Sequence, residues 1–191
     1  MNNKIKLLAC SMFMLFTSEI ASADAAYLQK FKTKQKYAAD LPAVNDQNFI
    51  NFISIPSPLT NKLREKMLYK LAKEKDWSNY NKLYHPSDDI SLQCYAQQAR
   101  LAFTDKNTVL HAILPIWLTG ESRPDACNEI FNVLLSDKQN RNKYINQRVA
   151  KALAQRNYSL ASYLLKKSSP GQEKKLKLLN LIQHNPRKIN M

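Results

Sequence analysis

The sequence predicts an all-α fold, a superhelical α-solenoid of stacked helix hairpins similar to tetratricopeptide repeats. Its 191 residues include only two glycines, Gly120 and Gly171, where an average usage of about 7% would give roughly thirteen. This scarcity excludes Gly-rich phosphate loops and hairpin-dense β folds. Apolar residues recur at three- and four-residue spacing, as on the buried stripe of an amphipathic helix. No clean repeat length is visible, so the repeat is degenerate.

Capping and breaking residues set the limits of the predicted helices. Asn45-Asp46 can cap a short first helix, which Pro56 and Pro58 end. Asp76 can cap a later one that stops before Pro86. Further helices are expected at about residues 61–75, 77–84, 88–103, 107–118, 122–135, 142–155, 159–167 and 172–183.

A turn motif separates two of these helices. Gly120 is placed to end the helix that contains Trp117. Ser122 and Asp125, three residues apart with Pro124 between them, have the pattern of a capping box. Ser122 is therefore expected to cap the next helix, and the loss of such a cap costs about 1 kcal/mol.

The first 25 residues have the composition of a secretory signal peptide. Lys4 and Lys6 precede a ten-residue apolar run, 7–16, and Ala21-Ser22-Ala23 is a small-residue cleavage pattern. The run is too short to span a bilayer, which needs about 20 apolar residues, and a buried N-terminal helix is the alternative. We therefore expect a leader at 1–25, the N-terminal part of a superhelical domain at 26–191, a periplasmic location and no transmembrane span after cleavage.

The net charge is +14. Cleavage after Ala23 removes two lysines and one glutamate and leaves 27 basic against 14 acidic residues, or +13. An exported chain does not meet cytoplasmic nucleic acid, so no nucleic-acid partner is expected. The charge instead suits an anionic envelope, either the carboxylates of the wall, the phosphates of the outer membrane or an acidic protein. A solvated basic surface without a specific partner is the alternative.

The cysteines predict one disulfide bond. Loss of Cys10 with the leader leaves Cys94 and Cys127, an even number in a compartment that favours oxidation. Their bond would join two helices that lie on either side of a third in sequence. Such alternate helices are neighbours in a stack of helix hairpins. Two buried free thiols are the alternative.

Other chemistry finds little support in the sequence. His85, His111 and His184 have no partner at the spacing of metal ligands, so neither a metal site nor a cofactor is expected, and His111 should lie in the core. Basic residues cluster towards the C-terminus. The candidate contacts to an anionic ligand are Lys166, Lys167, Lys174 and Lys175.

The cysteine segments carry a resemblance to a known family. They read LQCY at 92–95 and WLTGESRPDAC at 117–127, and LAKEKDW at 71–77 precedes them. Together they resemble the N-terminal superhelical, U-shaped domain of the soluble lytic murein transglycosylases, over roughly residues 30–185. Trp117, Gly120, Ser122 and Pro124 are then structural residues of the family motif.

The resemblance implies a periplasmic place and no catalysis by this chain alone. In the family, a separate C-terminal domain similar to goose-type lysozyme cleaves the glycan between N-acetylmuramate and N-acetylglucosamine, with one Glu as acid and base. The resemblance covers the arm only, so we expect that domain to be missing from this chain and expect no catalytic residue. Glu121-Ser122 matches the dipeptide of the catalytic motif only by chance, because it lies in the arm-like stretch.

We therefore expect a truncated, non-catalytic and peptidoglycan-associated or architectural arm. Two alternatives stay open. The chain could be the front fragment of a split transglycosylase whose catalytic domain lies elsewhere, or a basic adaptor that binds another envelope protein. A solenoid cut within its array should also expose an apolar face, which predicts self-association.

Overall fold

The computed structural model describes residues 24–168, 171 and 173–184, and within them the regular structure is helical with no strand. The chain divides into two compact units, Met1–Lys70 and Leu71–Met191. The helices cover residues 24–39 (α1), Gln47–Ser54 (α2), Pro58–Glu74 (α3), Trp77–Leu83 (α4), Ile90–Leu101 (α5), Lys106–Trp117 (α6), Asn128–Leu135 (α7), Arg141–Ala154 (α8), Tyr158–Lys167 (α9) and Glu173–His184 (α10), with a 3-10 turn at Asp125–Cys127.

The first unit packs α1, α2 and the start of α3 around a small core. Tyr37 of α1 meets Phe49 of α2 edge to face, with ring centroids 5.2 Å apart. Asp46 caps α2 as predicted, because its carboxylate accepts from the Phe49 amide at 2.9 Å. Pro58, predicted to break a helix, is instead the first residue of α3. It is tolerated there because the first helical N–H has no intrahelical partner.

α1 is not among the helices that the apolar pattern predicts. Its residues 24–30 are all exposed, so it lacks the continuous buried stripe that reveals a helix in sequence. The leader predicted for residues 1–25 lies outside the described residues, apart from Asp24 and Ala25. In the described part of the chain, no helix has the length and hydropathy needed to cross a membrane.

In the second unit, α5 to α10 pack on one hydrophobic core whose buried residues run from Cys94 to Leu179. Neighbouring helices pack in sequence order from α4 to α10. The hydroxyl of Tyr80 on α4 donates to the Leu92 carbonyl of α5 at 2.8 Å. α5 also reaches past α6 to the 3-10 turn and α7, which is the contact between alternate helices that a stack requires.

Two helices end on left-handed residues that are not glycine. Lys75 after α3 and Arg156 after α8 both have φ of 56°. The next amides turn back onto the helices, from Asp76 to the Leu71 carbonyl at 2.9 Å and from Asn157 to the Ala152 carbonyl at 2.8 Å. This is the Schellman pattern, in which glycine usually takes the left-handed position. A chain with two glycines thus accepts about 1–2 kcal/mol of local strain at each such end.

Three expectations near residue 120 are wrong. α6 ends at Trp117 with Leu118 as its C-cap, and Gly120 does not have positive φ, so it is not the helix stop. Pro124 is extended and the 3-10 turn after it has no side-chain cap hydrogen bond among the described residues, so Ser122 lies too early in the chain to cap. His111 is exposed on α6 and does not lie in the core.

Candidate functional site

A cleft of about 410 Å³ opens on the second unit between the 117–125 segment and helices α7, α8 and α9. We call it the basic cleft. Three cationic side chains and one carboxylate line it, a balance of +2. The lining residues are Trp117, Ser122, Arg123, Asp125, Asn128, Phe131, Asn132, Leu135, Arg148, Ser159, Leu160, Tyr163 and Lys167.

A disulfide bond fixes one wall of this cleft. Cys94 on α5 is bonded to Cys127 at the end of the 3-10 turn, with Cα atoms 4.9 Å apart and 33 positions between them in sequence. Both cysteines are fully buried. The predicted pairing is confirmed, and the bond skips α6 as expected. It anchors the turn that leads into α7, the helix from which Asn128 and Phe131 line the cleft.

Arg148 forms the floor of the cleft and is only 3% exposed. Its guanidinium lies 4.4 Å from the centroid of Trp117 and 5.1 Å from that of Phe131. One of its terminal nitrogens donates to the Glu121 carbonyl at 3.1 Å. Its buried Nε has no hydrogen-bond partner in the described structure. Burial, and then the nearby charge of Arg123, lower the pKa of Arg148 to about 10.

Arg123 provides the second cation but has a partner of its own. Its Nη1 lies 3.4 Å from Oε2 of Glu121, whose side chain is 66% exposed, and its Nε donates to the Ile116 carbonyl at 3.3 Å. An ion pair with so exposed a carboxylate contributes little because water screens it. The buried charge of Arg148 therefore has no acidic side chain paired with it in the described part of the chain.

Trp117 is a structural residue of the cleft, in agreement with its sequence pattern. It is 3% exposed, its Nε1 donates to the Tyr144 carbonyl at 3.0 Å, and its ring meets Phe131 edge to face at 4.9 Å. Its indole is therefore held by both a hydrogen bond and packing. A flat aromatic face is fixed under the guanidinium of Arg148, an arrangement that stabilises a cation.

Gly120 is required for close packing. A Cβ at this position would overlap the backbone carbonyl oxygen of Lys151 and the side-chain oxygen of Gln155 on α8. The Gly120 carbonyl also accepts from Nδ2 of Asn157 at 3.1 Å. The segment before the cleft thus rests directly on α8, and only a residue without a side chain fits there.

The four lysines proposed as contacts to an anion do not form one site. Lys167 lines the basic cleft, with Nζ 4.8 Å from the centroid of the exposed Tyr163 ring. Lys175 lines a different depression. Lys166 and Lys174 are exposed and line neither of the two. Of the motif residues, Trp117 and Ser122 line the cleft, whereas Pro124 is exposed before the 3-10 turn.

The second depression, which we call the apolar groove, has a volume of about 290 Å³. It lies between α8, α9 and α10. Leu153 and Leu178 in its lining are 38% and 51% exposed. The lining residues are Asn146, Val149, Ala150, Leu153, Leu165, Lys175, Leu178, Leu179 and Ile182.

Sequence reasoning missed the central residue of the cleft, although a signal for it existed. Arg148 shares the helical stripe of Ile145, Val149 and Ala152, all of which are buried. An arginine on the apolar stripe of an amphipathic helix is unusual, because an unpaired charge is costly to bury. Among the described residues no group of three or more His, Cys, Asp or Glu side chains could hold a metal ion.

No protein-family model matches the chain, and no curated protein matches it either. Solved structures do. The 70 kDa soluble lytic transglycosylase from Escherichia coli has a TM-score of 0.72 and 19% identity, over 97% of this chain and 31% of its own. An inactive mutant of the lytic transglycosylase Slt from Pseudomonas aeruginosa has a TM-score of 0.75 and 22% identity, over 92% of this chain and 29% of its own.

A complex of the 70 kDa soluble lytic transglycosylase with bulgecin A is also similar, with a TM-score of 0.71 and 20% identity, over 97% of this chain and 31% of its own. The chain thus spans less than a third of the length of each enzyme. The likeness shows that it has the all-α superhelical fold of this part of the soluble lytic transglycosylases, and the resemblance predicted from sequence is confirmed at the level of fold.

Proposed function

We propose that the chain is a non-catalytic, peptidoglycan-associated helical arm that acts in the periplasm. One observation carries the proposal: nearly the whole chain shares its fold with under a third of two enzymes named as lytic transglycosylases. The basic charge and the basic cleft add support, because the wall presents carboxylates. The leader pattern at residues 1–25 supports export.

The exposed lysines supply the long-range part of this association. Lys166, Lys167, Lys174 and Lys175 carry positive charge at the surface, and opposite charges attract a polyanion from solution before any specific contact forms. Such attraction weakens with salt, since the Debye length falls from about 10 Å at 0.1 M to about 3 Å at 1 M. Binding to the wall should therefore be salt-dependent.

The test is incubation of the oxidised protein with isolated sacculi, with co-pelleting and release of soluble 1,6-anhydro-muropeptides both measured. We expect pelleting without release. Release that disappears in Glu121→Gln would overturn the non-catalytic proposal and make the chain an enzyme. If the protein neither pellets with sacculi nor releases muropeptides, wall association is contradicted. That outcome would favour an adaptor for another envelope protein.

A matched pair of variants separates specific contact from bulk charge. One variant replaces Lys166, Lys167, Lys174 and Lys175 by glutamine, and the other replaces Lys30, Lys32, Lys34 and Lys36 of α1. Both lose four positive charges, so a bulk effect would reduce pelleting equally. We expect a larger loss in the first variant.

A further inference from the structure

We propose that the basic cleft is a binding site for the carboxylate of a small peptide-like ligand, with Arg148 as its central contact. The site is built into the core of the second unit. Arg148 is almost fully buried, lies on two aromatic faces and retains a buried N–H without a partner in the described structure.

The cost of burying this arginine points to a ligand. A guanidinium taken from water needs hydrogen-bond acceptors and an opposite charge to offset its desolvation. Among the described residues, Arg148 has one backbone acceptor, the Glu121 carbonyl at 3.1 Å. The adjacent Arg123 adds repulsion. An anion in the cleft would supply the missing charge and relieve the repulsion between the two arginines.

The geometry favours a carboxylate over a phosphate. A guanidinium presents a planar fork that matches the two oxygens of a carboxylate. Asp125 also lines the cleft and reduces its balance from +3 to +2, which penalises a doubly charged phosphate more than a monoanion. The side chains of Asn128, Asn132 and Ser159 add amide and hydroxyl groups to the lining. These groups suit the peptide bonds next to a terminal carboxylate.

The volume of the cleft, about 410 Å³, limits the ligand to a few residues of peptide. This inference rests on the proposed function for the source of the ligand, because the peptide stems of peptidoglycan end in carboxylates. The interaction itself depends only on the chemistry of the cleft, so the two proposals can fail separately.

The experiment is calorimetric titration of the oxidised protein with acetyl-alanyl-alanine and, as a matched probe, the same peptide with a C-terminal carboxamide. We expect the acid to bind and the amide to bind at least about tenfold more weakly, because a charge-assisted hydrogen bond is lost. Equal affinity for both peptides, or no heat from either, would overturn the proposal. Stronger binding of inorganic phosphate than of the acid would also overturn it.

Variants test the role assigned to Arg148. Arg148→Met should weaken binding of the acid at least about tenfold, whereas Lys143→Met, an exposed change on the same helix, should leave it unchanged. If Arg148→Met does not give a cooperative melting transition, Arg123→Gln replaces it, with an expected weakening of about threefold. Unchanged affinity in the folded variant would contradict the assignment.

The two proposals are distinguished by combining this titration with pelleting on sacculi. Discrimination between acid and amide without pelleting would support the carboxylate site and contradict wall association. Pelleting without discrimination would support the arm and reject the carboxylate site.

Discussion

The basic cleft and the apolar groove share two helices, α8 and α9, and differ in chemistry. On α8, Arg148 lines the cleft and the next residue, Val149, lines the groove. On α9, Tyr163 and Lys167 face the cleft while Leu165 faces the groove. Each helix therefore contributes side chains to both depressions, and on α8 a single step along the chain moves from the cleft to the groove.

This comparison shows what a site requires beyond a depression in the surface. The cleft combines a buried arginine that has no acidic partner among the described residues with directional polar groups, whereas the groove is lined mainly by aliphatic side chains, with Lys175 as the charged residue of its lining. Hydrogen-bonding and charged groups fix the orientation and identity of a ligand. Aliphatic groups favour the burial of any apolar surface, because the hydrophobic effect has no direction. We therefore propose ligand binding at the cleft, and the predicted self-association is to be tested at the groove.

Removal of the disulfide should have the largest effect on stability and, of the two depressions, should change the cleft rather than the groove. The double variant Cys94→Ala/Cys127→Ala is expected to lose about 3.7 kcal/mol of unfolding free energy, from the loop entropy of a 33-residue separation. Because Asn128 and Phe131 follow the bridge directly, affinity for acetyl-alanyl-alanine should fall as well. Urea unfolding of the variant against the oxidised protein measures the first effect. A loss below about 1 kcal/mol would contradict this estimate.

Gly120→Ala should come next, at about 3 kcal/mol, because the new methyl group would overlap the Lys151 carbonyl of α8. The displaced segment carries the Glu121 carbonyl that accepts from Arg148, so the cleft should weaken while the groove is unaffected. Thermal melts report the change. The double variant with Gln155→Ala is the control: it removes the side-chain overlap only, and full recovery of stability would show that the backbone contact is unimportant.

The smallest effect on stability, within about 0.5 kcal/mol, is expected for Leu153→Gln combined with Leu178→Gln. These exposed leucines make the groove apolar, so the variant should reduce self-association in sedimentation velocity. Tyr163→Gln is the matched control, since Tyr163 is 50% exposed, close to the 51% of Leu178, but faces the cleft. A wild-type chain that stays monomeric at high concentration would show that the groove does not drive association.

The sequence predicted those features that depend on local chemistry. Asp46 and Asp76 begin their helices as N-caps, because a cap is defined by the few residues that follow it. The pairing of Cys94 with Cys127 could also be predicted, since these are the two cysteines that follow the predicted leader. α1 was not predicted because it buries too few residues to produce an apolar stripe in the sequence.

Features that depend on distant contacts were not accessible in the same way. Gly120 is required because of Lys151 and Gln155, about thirty positions later in the chain. In the sequence, a glycine next to a helix end resembles a helix stop, whichever residues pack against it in the fold. Arg148 differs, since its place on an apolar stripe was visible. The lack of an acidic side chain next to Arg148, within the part of the chain that the structure describes, could not be predicted, because sequence spacing does not show which side chains lie near it in the folded protein.

The time at which the predicted leader is cleaved would affect which disulfide bond forms. Three cysteines allow three different pairs and two allow only one. A precursor that still carries Cys10 can therefore oxidise wrongly, by joining Cys10 to Cys94 or to Cys127. If the predicted leader is cleaved before oxidation, only Cys94 and Cys127 remain, and oxidation has a single intramolecular outcome. Cleavage before oxidation would then prevent both wrong pairings and leave the bond that anchors one wall of the cleft.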